Sequence, residues 1–282
     1  MSTTHPRSML FVSGEKAERF PKAMAAGADL VCIDLEDAVH PGRKAEARAA
    51  VLGWLADELP RLAGPRPGIA LRINGVRTRE GLRDLAALAE TSIALDWLLC
   101  PKVEDAGDVQ CVQAWVGARF GAGVALVETP LGVENAFAIA RAGAGLGALM
   151  LGGADLCAEL GARFGWDGLL HARGRLVNAA KAAGLQAWDV PHIDLPDLDG
   201  LHAETRGVLE LGFDCKTAIH PTQVGPIHAA FKPSARDAEW ARVLLQAVPG
   251  GGASGAFIFD GRLVDAPLLK KARRIAELAA IA

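Results

Sequence analysis

Eight short apolar runs recur along the chain, separated by longer stretches with helical spacing, and this alternation constrains the fold more than any single motif. The runs at residues 8–13, 30–35, 69–74, 97–103, 124–128, 148–152, 186–190 and 215–219 are too short for helices and read as buried strands. Between most of them lie segments rich in Ala, Leu, Lys and Arg, such as 44–59, 81–89, 133–142 and 170–182, whose spacing predicts helices. Eight such units predict an α/β fold, a TIM (β/α)8 barrel, and the 282 residues accommodate the roughly 250 that such a barrel needs. An open doubly wound sheet is the rival, but no Gly-x-Gly-x-x-Gly turn follows the first strand.

After about Phe231 the pattern changes. A helix at 235–248 is followed by the breaker Pro249-Gly-Gly-Gly252, then by a hairpin at 256–264 in which Asp260-Gly261 suits a tight turn. A final helix at 267–281 is led by Asp265 near its cap and Pro267 in its first turn. The expected organisation is therefore a barrel over 1–231 and a helical and hairpin lid extension over 232–282.

A formal net charge of -3 offers no basic field for nucleic acid or for a membrane surface, and no apolar stretch reaches the length of a membrane span. The N-terminal Met1-Ser-Thr-Thr-His-Pro-Arg7 lacks the basic and then apolar layout of a secretory leader. Cys32, Cys100, Cys111, Cys157 and Cys215 are scattered and odd in number, with no Cys-x-x-Cys pair, and read as thiols in a reducing compartment. The expectation is a cytoplasmic protein with no nucleic-acid or membrane partner.

Polar residues gather where the predicted strands end, the face on which a barrel enzyme carries its chemistry. Glu128 and Asp155 close two consecutive runs, so their carboxylates can converge on one cation. Two carboxylates with water and substrate oxygens suit Mg²⁺, and the lack of histidine or cysteine partners disfavours zinc. The alternative is that each is an ordinary helix-capping acid. Arg72 sits between Leu71 and Ile73 in an apolar strand, where an unpaired guanidinium is too costly to be incidental. It holds either a substrate carboxylate or enolate, or a salt bridge to Glu36 or Asp37 that ties two strands together. Asp34-Leu-Glu-Asp37 places three acids within four residues, and Lys44 and Arg48 on the following helix are the expected counter-charges. Lys102 and Glu104 end another strand. His220 before Pro221 reads as a hydrogen-bonded wall residue rather than a ligand. Arg19 and Lys22 follow the first strand and suit phosphate contact or an ordinary basic surface equally well.

Taken together these residues resemble the HpcH/HpaI aldolase/citrate lyase family, in its citrate lyase β-subunit-like branch. The matching stretches run in order through nearly the whole chain: Arg7-Ser-Met-Leu-Phe-Val-Ser-Gly14, Ala28-Asp-Leu-Val-Cys-Ile-Asp-Leu-Glu-Asp-Ala-Val39, Leu71-Arg-Ile-Asn74, Pro101-Lys-Val-Glu104, Val127-Glu-Thr-Pro130, Gly152-Gly-Ala-Asp-Leu156 and Ala218-Ile-His-Pro-Thr-Gln223. The tail, Gly255-Ala-Phe-Ile-Phe-Asp-Gly-Arg-Leu-Val-Asp-Ala-Pro267, resembles the C-terminal lid of malyl-CoA lyase-like members. Ser13, where proline is common, and Trp188-Asp-Val-Pro-His192 depart from the pattern.

The resemblance implies a Mg²⁺-dependent carbon-carbon lyase that cleaves or forms a β-hydroxyacyl-CoA thioester, such as malyl-, citramalyl- or citryl-CoA, with acetyl-CoA and an α-keto acid as products. It implies Glu128 and Asp155 as metal ligands, Arg72 on the carbonyl or enolate oxygen, and Glu36 and Asp37 behind them. The backbone of Gly153 and Ala154 would receive the keto-acid carboxylate, and Arg19 and Lys22 the CoA phosphates. Asp265 would act as acid/base in a neighbouring subunit of a homo-oligomer, a trimer or hexamer. The rival readings are a CoA-independent, metal-dependent pyruvate-enolate aldolase and an acyl-thioester-binding subunit of a citrate lyase-type complex.

Overall fold

A computed structural model describes residues 5–62, 66–117, 120–143, 145–248 and 256–281. The first four residues of the N-terminal segment, the expected breaker at 249–252 and residue 255 lie outside the described residues. Eight parallel strands close into a barrel in chain order: β1 (Ser8–Ser13), β2 (Leu30–Asp34), β3 (Gly68–Arg72), β4 (Leu95–Cys100), β5 (Phe120–Val127), β6 (Leu146–Leu151), β7 (Gln186–Asp189) and β8 (Cys215–Ala218). Closure is made by β8 against β1, where Ser8 pairs with Lys216 and Leu10 with Ala218.

The (β/α)8 barrel expected from the alternation is thus the fold, and the differences lie at element ends. β3 stops at Arg72 because Asn74 turns away from the sheet, giving both its backbone and side-chain N–H to Asp84 Oδ2 at 2.7 Å. β5 begins at Phe120, well before the apolar run at 124–128; its first half, Phe120-Gly-Ala-Gly-Val124, pairs with β4 through the backbone while showing little apolar signal. The helix expected at 133–142 is two short helices, α5 (Pro130–Glu134) and α6 (Ala136–Ala140), broken where the Asn135 amide donates to the Glu104 carbonyl at 2.8 Å.

The remaining helices of this unit are α1 (Phe20–Met24), α2 (Lys44–Asp57), α3 (Arg79–Ala89), α4 (Ala106–Val116), α7 (Gly153–Leu160), α8 (Trp166–Ala182) and α9 (Leu198–Leu211). Side-chain caps mark several starts: Thr78 on α3, Asp105 on α4, Thr129 on α5 and Asp197 on α9. The barrel interior is packed by alternate strand residues, among them Met9, Cys32, Ala70, Leu99, Leu126, Met150 and Cys215, around a fully buried Trp188. Trp97 meets Trp188 edge-on with ring centroids 4.7 Å apart.

The chain divides into two compact units, residues 1–227 and 228–282, within α10 (Val224–Phe231). In the second unit α11 (Ala235–Gln246), an antiparallel pair β9 (Phe257–Phe259) and β10 (Arg262–Val264), and α12 (Ala266–Ile281) share a core of Ala241, Leu244, Val264, Leu269 and Ala272. Asp260 and Gly261 both take positive φ, 49° and 70°, as a two-residue hairpin turn requires. Among the described residues no helix is long and apolar enough to cross a membrane.

Candidate active site

Strand parity builds the site. Leu30 and Cys32 face the barrel interior and Asp34 continues their row; Ala70 leads to Arg72, Leu126 to Glu128 and Met150 to Gly152. Each polar residue therefore projects just beyond the packed interior, at the C-terminal mouth.

Asp34 and Arg72 are register partners on β2 and β3, so their side chains stand side by side. The guanidinium binds the carboxylate through both edges, Nε to Oδ1 and Nη2 to Oδ2, each at 2.7 Å. Its Nη1 lies 3.0 Å from Glu36 Oε2 and 3.4 Å from Asp37 Oδ2, and the group stacks over the Phe11 ring at 5.1 Å. Burial opposes the charge on Arg72, but the three acids, led by Asp34, hold it firmly protonated. Of the two sequence readings, the salt bridge to Glu36 and Asp37 is present, with Asp34 as the stronger partner that the sequence reading left out of the site.

Glu128 is buried and its Oε1 accepts the backbone N–H of Lys102 at 2.8 Å. The space it occupies exists because residue 152 is glycine: a Cβ there would lie 2.3 Å from Glu128 Oε2. Asp155, in the first turn of α7, is in contact with the Lys102 ammonium, which also stands 3.8 Å from Glu36 Oε1. Lys102 is the second participant that the candidate set omitted. Gly153 and Ala154 open α7, where backbone N–H groups have no partner within the helix and face an anion naturally. Asp34, Asp37, Arg72, Glu128, Gly153, Ala154 and Asp155 line one pocket of about 370 Å³, with Phe11, Pro191 and Ile219 among its apolar walls. A larger void of about 810 Å³ beside β4, β5 and α4 is lined mainly by aliphatic side chains and lacks this convergence.

The charges do not balance. Among the described residues, Asp34, Glu36, Asp37, Glu128 and Asp155 face two cations, Arg72 and Lys102. Burial, reinforced by Glu128 and Asp37, pushes Glu36 up to about 8, and Glu36 Oε2 has no hydrogen bond despite its proximity to Arg72. Burial, with Asp155 adding to it, raises Glu128 to about 7. An oxygen-only donor set with excess buried negative charge fits a hard divalent cation held by few protein ligands. Among the described residues no three His, Cys, Asp or Glu side chains form a closed metal cage, so a pair of carboxylates is the available donor set.

Other candidates fall elsewhere. The counter-charges expected from α2 do not reach the acids: Lys44 Nζ binds the carbonyls of Leu35 and Glu36, at 2.9 and 2.7 Å, and Arg48 turns to Glu80 and Asp84 on α3. Glu104 pairs with Arg77 at 2.7 Å. Arg19 and Lys22 are exposed beyond the end of β1. His220 Nδ1 is bonded to Thr222, at 2.8 Å from Oγ1. Ser13 Oγ donates to the Ala38 carbonyl at 2.6 Å, tying the end of β1 to the loop after β2. Of Trp188-Asp-Val-Pro-His192 only Pro191 lines the pocket, because Trp188 fills the barrel interior. Asp189 faces outward into a buried cluster with Arg173, Lys216 and Glu204, and His192 Nδ1 joins it at 2.7 Å from Glu204 Oε2. Against the opposing effect of burial, Lys216 foremost draws Glu204 down to about 2. Asp265 belongs to the second unit, where its Oδ1 accepts the Leu268 N–H at 3.3 Å and caps α12.

The fold and site together define an acid-rich, strand-end barrel site of the kind that binds a divalent cation. The family model described as HpcH/HpaI aldolase/citrate lyase matches residues 7–221, and the chain belongs to that family. A citrate lyase subunit beta-like protein of Mycobacterium tuberculosis is 37% identical over 270 residues, covering 93% of this chain and 92% of that protein. The human mitochondrial citramalyl-CoA lyase is 32% identical, covering 97% and 85%. Among solved structures, the CitE protein of Mycobacterium tuberculosis in complex with magnesium, acetoacetate and coenzyme A superposes with a TM-score of 0.79 at 35% identity, covering 97% of this chain and 98% of that one.

The two raised carboxyls carry a stability signature. Above the ordinary value of 4.5 the unfolded chain releases protons that folded Glu36 and Glu128 still hold, so their contribution favours the fold at low pH and is lost as pH rises through about 7 and 8. Calorimetry of metal-free protein should show the melting temperature falling between pH 5.5 and 8.5, with a shallower fall in Glu36→Gln/Glu128→Gln. An unchanged slope in that double variant contradicts the assignment.

Proposed function

We propose that this protein is a Mg²⁺-dependent carbon-carbon lyase that cleaves, or in reverse forms, a β-hydroxyacyl-CoA such as malyl-, citramalyl- or citryl-CoA, with acetyl-CoA and an α-keto acid as products. The observation that carries the reading is the pairing of Glu128 and Asp155 in one strand-end pocket beside Arg72, which Asp34 holds in place. Glu128 and Asp155 would hold the metal. Bound there, Mg²⁺ supplies Lewis-acid polarisation of the substrate hydroxyl and carboxylate oxygens.

The chain's own groups account for the rest. Nε and one Nη2 hydrogen of Arg72 are committed to Asp34, which fixes the plane of the guanidinium and leaves Nη1 and the second Nη2 hydrogen as donors. Those donors offset the negative charge that develops on the thioester oxygen as the carbon-carbon bond breaks. Glu36 and Asp37 steer Nη1 from behind. The N–H groups of Gly153 and Ala154 receive the keto-acid carboxylate, and Arg19 and Lys22 meet the CoA phosphates as point charges. As the carbon-carbon bond breaks the β-hydroxyl gives up its proton to water and becomes the keto oxygen, and Asp265, acting in a neighbouring subunit of a homo-oligomer, a trimer or hexamer, protonates the enolate carbon to give acetyl-CoA. The barrel over 1–231 is then the catalytic domain and 232–282 the lid. Five free cysteines, four of them buried, suit a reducing compartment such as the cytoplasm.

Purified protein with Mg²⁺ and a panel of malyl-, citramalyl- and citryl-CoA should release acetyl-CoA and one keto acid, read by mass spectrometry. Glu128→Gln and Asp155→Asn should fold and lose Mg²⁺-dependent turnover, since each removes an anionic ligand while keeping volume. Turnover of none of the esters contradicts the proposal, and near-normal activity of either variant at limiting Mg²⁺ removes that residue from the metal site.

Action of Asp265 in trans has its own test. Asp265→Asn and Glu128→Gln subunits, each inactive alone, should recover activity when mixed under conditions of demonstrated subunit exchange. No recovery assigns Asp265 to its own barrel or to the α12 cap alone.

A further inference from the structure

Lys102 grips both carboxylates assigned to the metal. It lies just past β4 with φ at 54°, in the left-handed region that residues with side chains seldom occupy and that clusters at functional sites. In this conformation its N–H points at Glu128, 2.8 Å from Oε1, while the ammonium contacts Asp155 and faces Glu36 Oε1 at 3.8 Å. The two grips differ in permanence. The one on Glu128 is made by backbone to a buried carboxylate, whereas the Lys102 and Asp155 side chains are 45% and 39% exposed, so the ammonium has a path into water. Arg72 has no such freedom, being locked bidentately to Asp34.

We propose that Lys102 is a built-in counter-ion which holds the Glu128 and Asp155 carboxylates together and gives up Asp155 to the divalent cation, so that ammonium and metal compete for one ligand. This rests on the metal assignment above. Without the ammonium the clustered carboxylates repel one another across a poorly screened mouth. With both cations present they repel each other at Asp155, and the doubly charged ion prevails. The backbone grip on Glu128 persists in either state because it does not depend on where the side chain points. Linkage makes the competition reciprocal: removing the ammonium tightens metal binding, and loading metal frees the ammonium.

The experiment uses full-length protein and Mn²⁺, with free ion read by electron paramagnetic resonance. Lys102→Met removes the charge and keeps the length; Lys102→Gly removes the charge and accepts the left-handed backbone. Both should bind Mn²⁺ more tightly, on the order of tenfold. In the wild type, modification of Lys102 by an amine reagent, mapped by mass spectrometry, should rise several-fold on saturation with Mn²⁺. Normal Mn²⁺ binding with unchanged affinity in both variants overturns the inference and leaves the metal assignment standing. Tighter binding without increased labelling reflects the electric field alone and overturns displacement. A wild type that binds no Mn²⁺ overturns the metal assignment and the inference together. Should the variants fail to fold, the labelling of wild-type protein decides alone.

Discussion

The buried pair between Arg72 and Asp34 is the constraint on which the mouth of the barrel depends. A guanidinium taken out of water is tolerable only when its donors are met, and stripping one partner from such a pair costs about 3–5 kcal/mol. Asp34 meets it because β2 and β3 pair in a register that sets the two residues abreast. Once Nε and Nη2 are committed, the orientation of the remaining donors is decided by the backbone. Glu36 and Asp37, on the loop that leaves β2, crowd Nη1, and Lys44 clamps that loop through the carbonyls of Leu35 and Glu36.

The second consequence is an unbalanced charge. Asp34 takes two of the hydrogens of Arg72, and the remaining cation, Lys102, is shared by Glu36, Glu128 and Asp155: its ammonium touches Asp155 and lies 3.8 Å from Glu36. Burial then drives the carboxyls of Glu36 and Glu128 toward the proton-bound form. A site in this condition takes up a cation, a proton or both. Its shape is set by backbone as much as by charge, since Gly152 makes room for Glu128 and the left-handed Lys102 supplies its hydrogen bond.

Much of the site was legible in the sequence because Asp34, Glu128 and Asp155 close short apolar runs and Arg72 interrupts one. That Asp34, Arg72, Glu128 and Gly152 continue the interior row of Cys32, Ala70, Leu126 and Met150 was not legible, because these strands are apolar on both faces and show no alternation. Register is another matter. Nothing in the local sequence says that Asp34, rather than Glu36 or Asp37, stands opposite Arg72, because that depends on how two strands separated by a helix align. The hydrogen bonds of Asn74 and Asn135, which end β3 and break the helix after β5, are likewise long-range contacts made by short polar side chains. Lys102 was visible as a strand-end lysine, but its left-handed backbone was not, since glycine is the usual sign of such a conformation. The buried cluster of Arg173, Asp189, Glu204 and Lys216 had a readable signal, a charged residue in each of two short apolar strands, whose partners only the helix packing reveals.

In the proposed reaction the held guanidinium of Arg72 acts on charge that develops during bond cleavage rather than on the resting substrate. Steady-state kinetics of Arg72→Lys on the CoA ester that the wild type cleaves tests it most directly, because lysine keeps the charge and loses the planar fork. The expected result is a fall in kcat on the order of 10²-fold with a much smaller change in KM. A normal kcat with a raised KM would contradict it and make Arg72 a residue of ground-state binding.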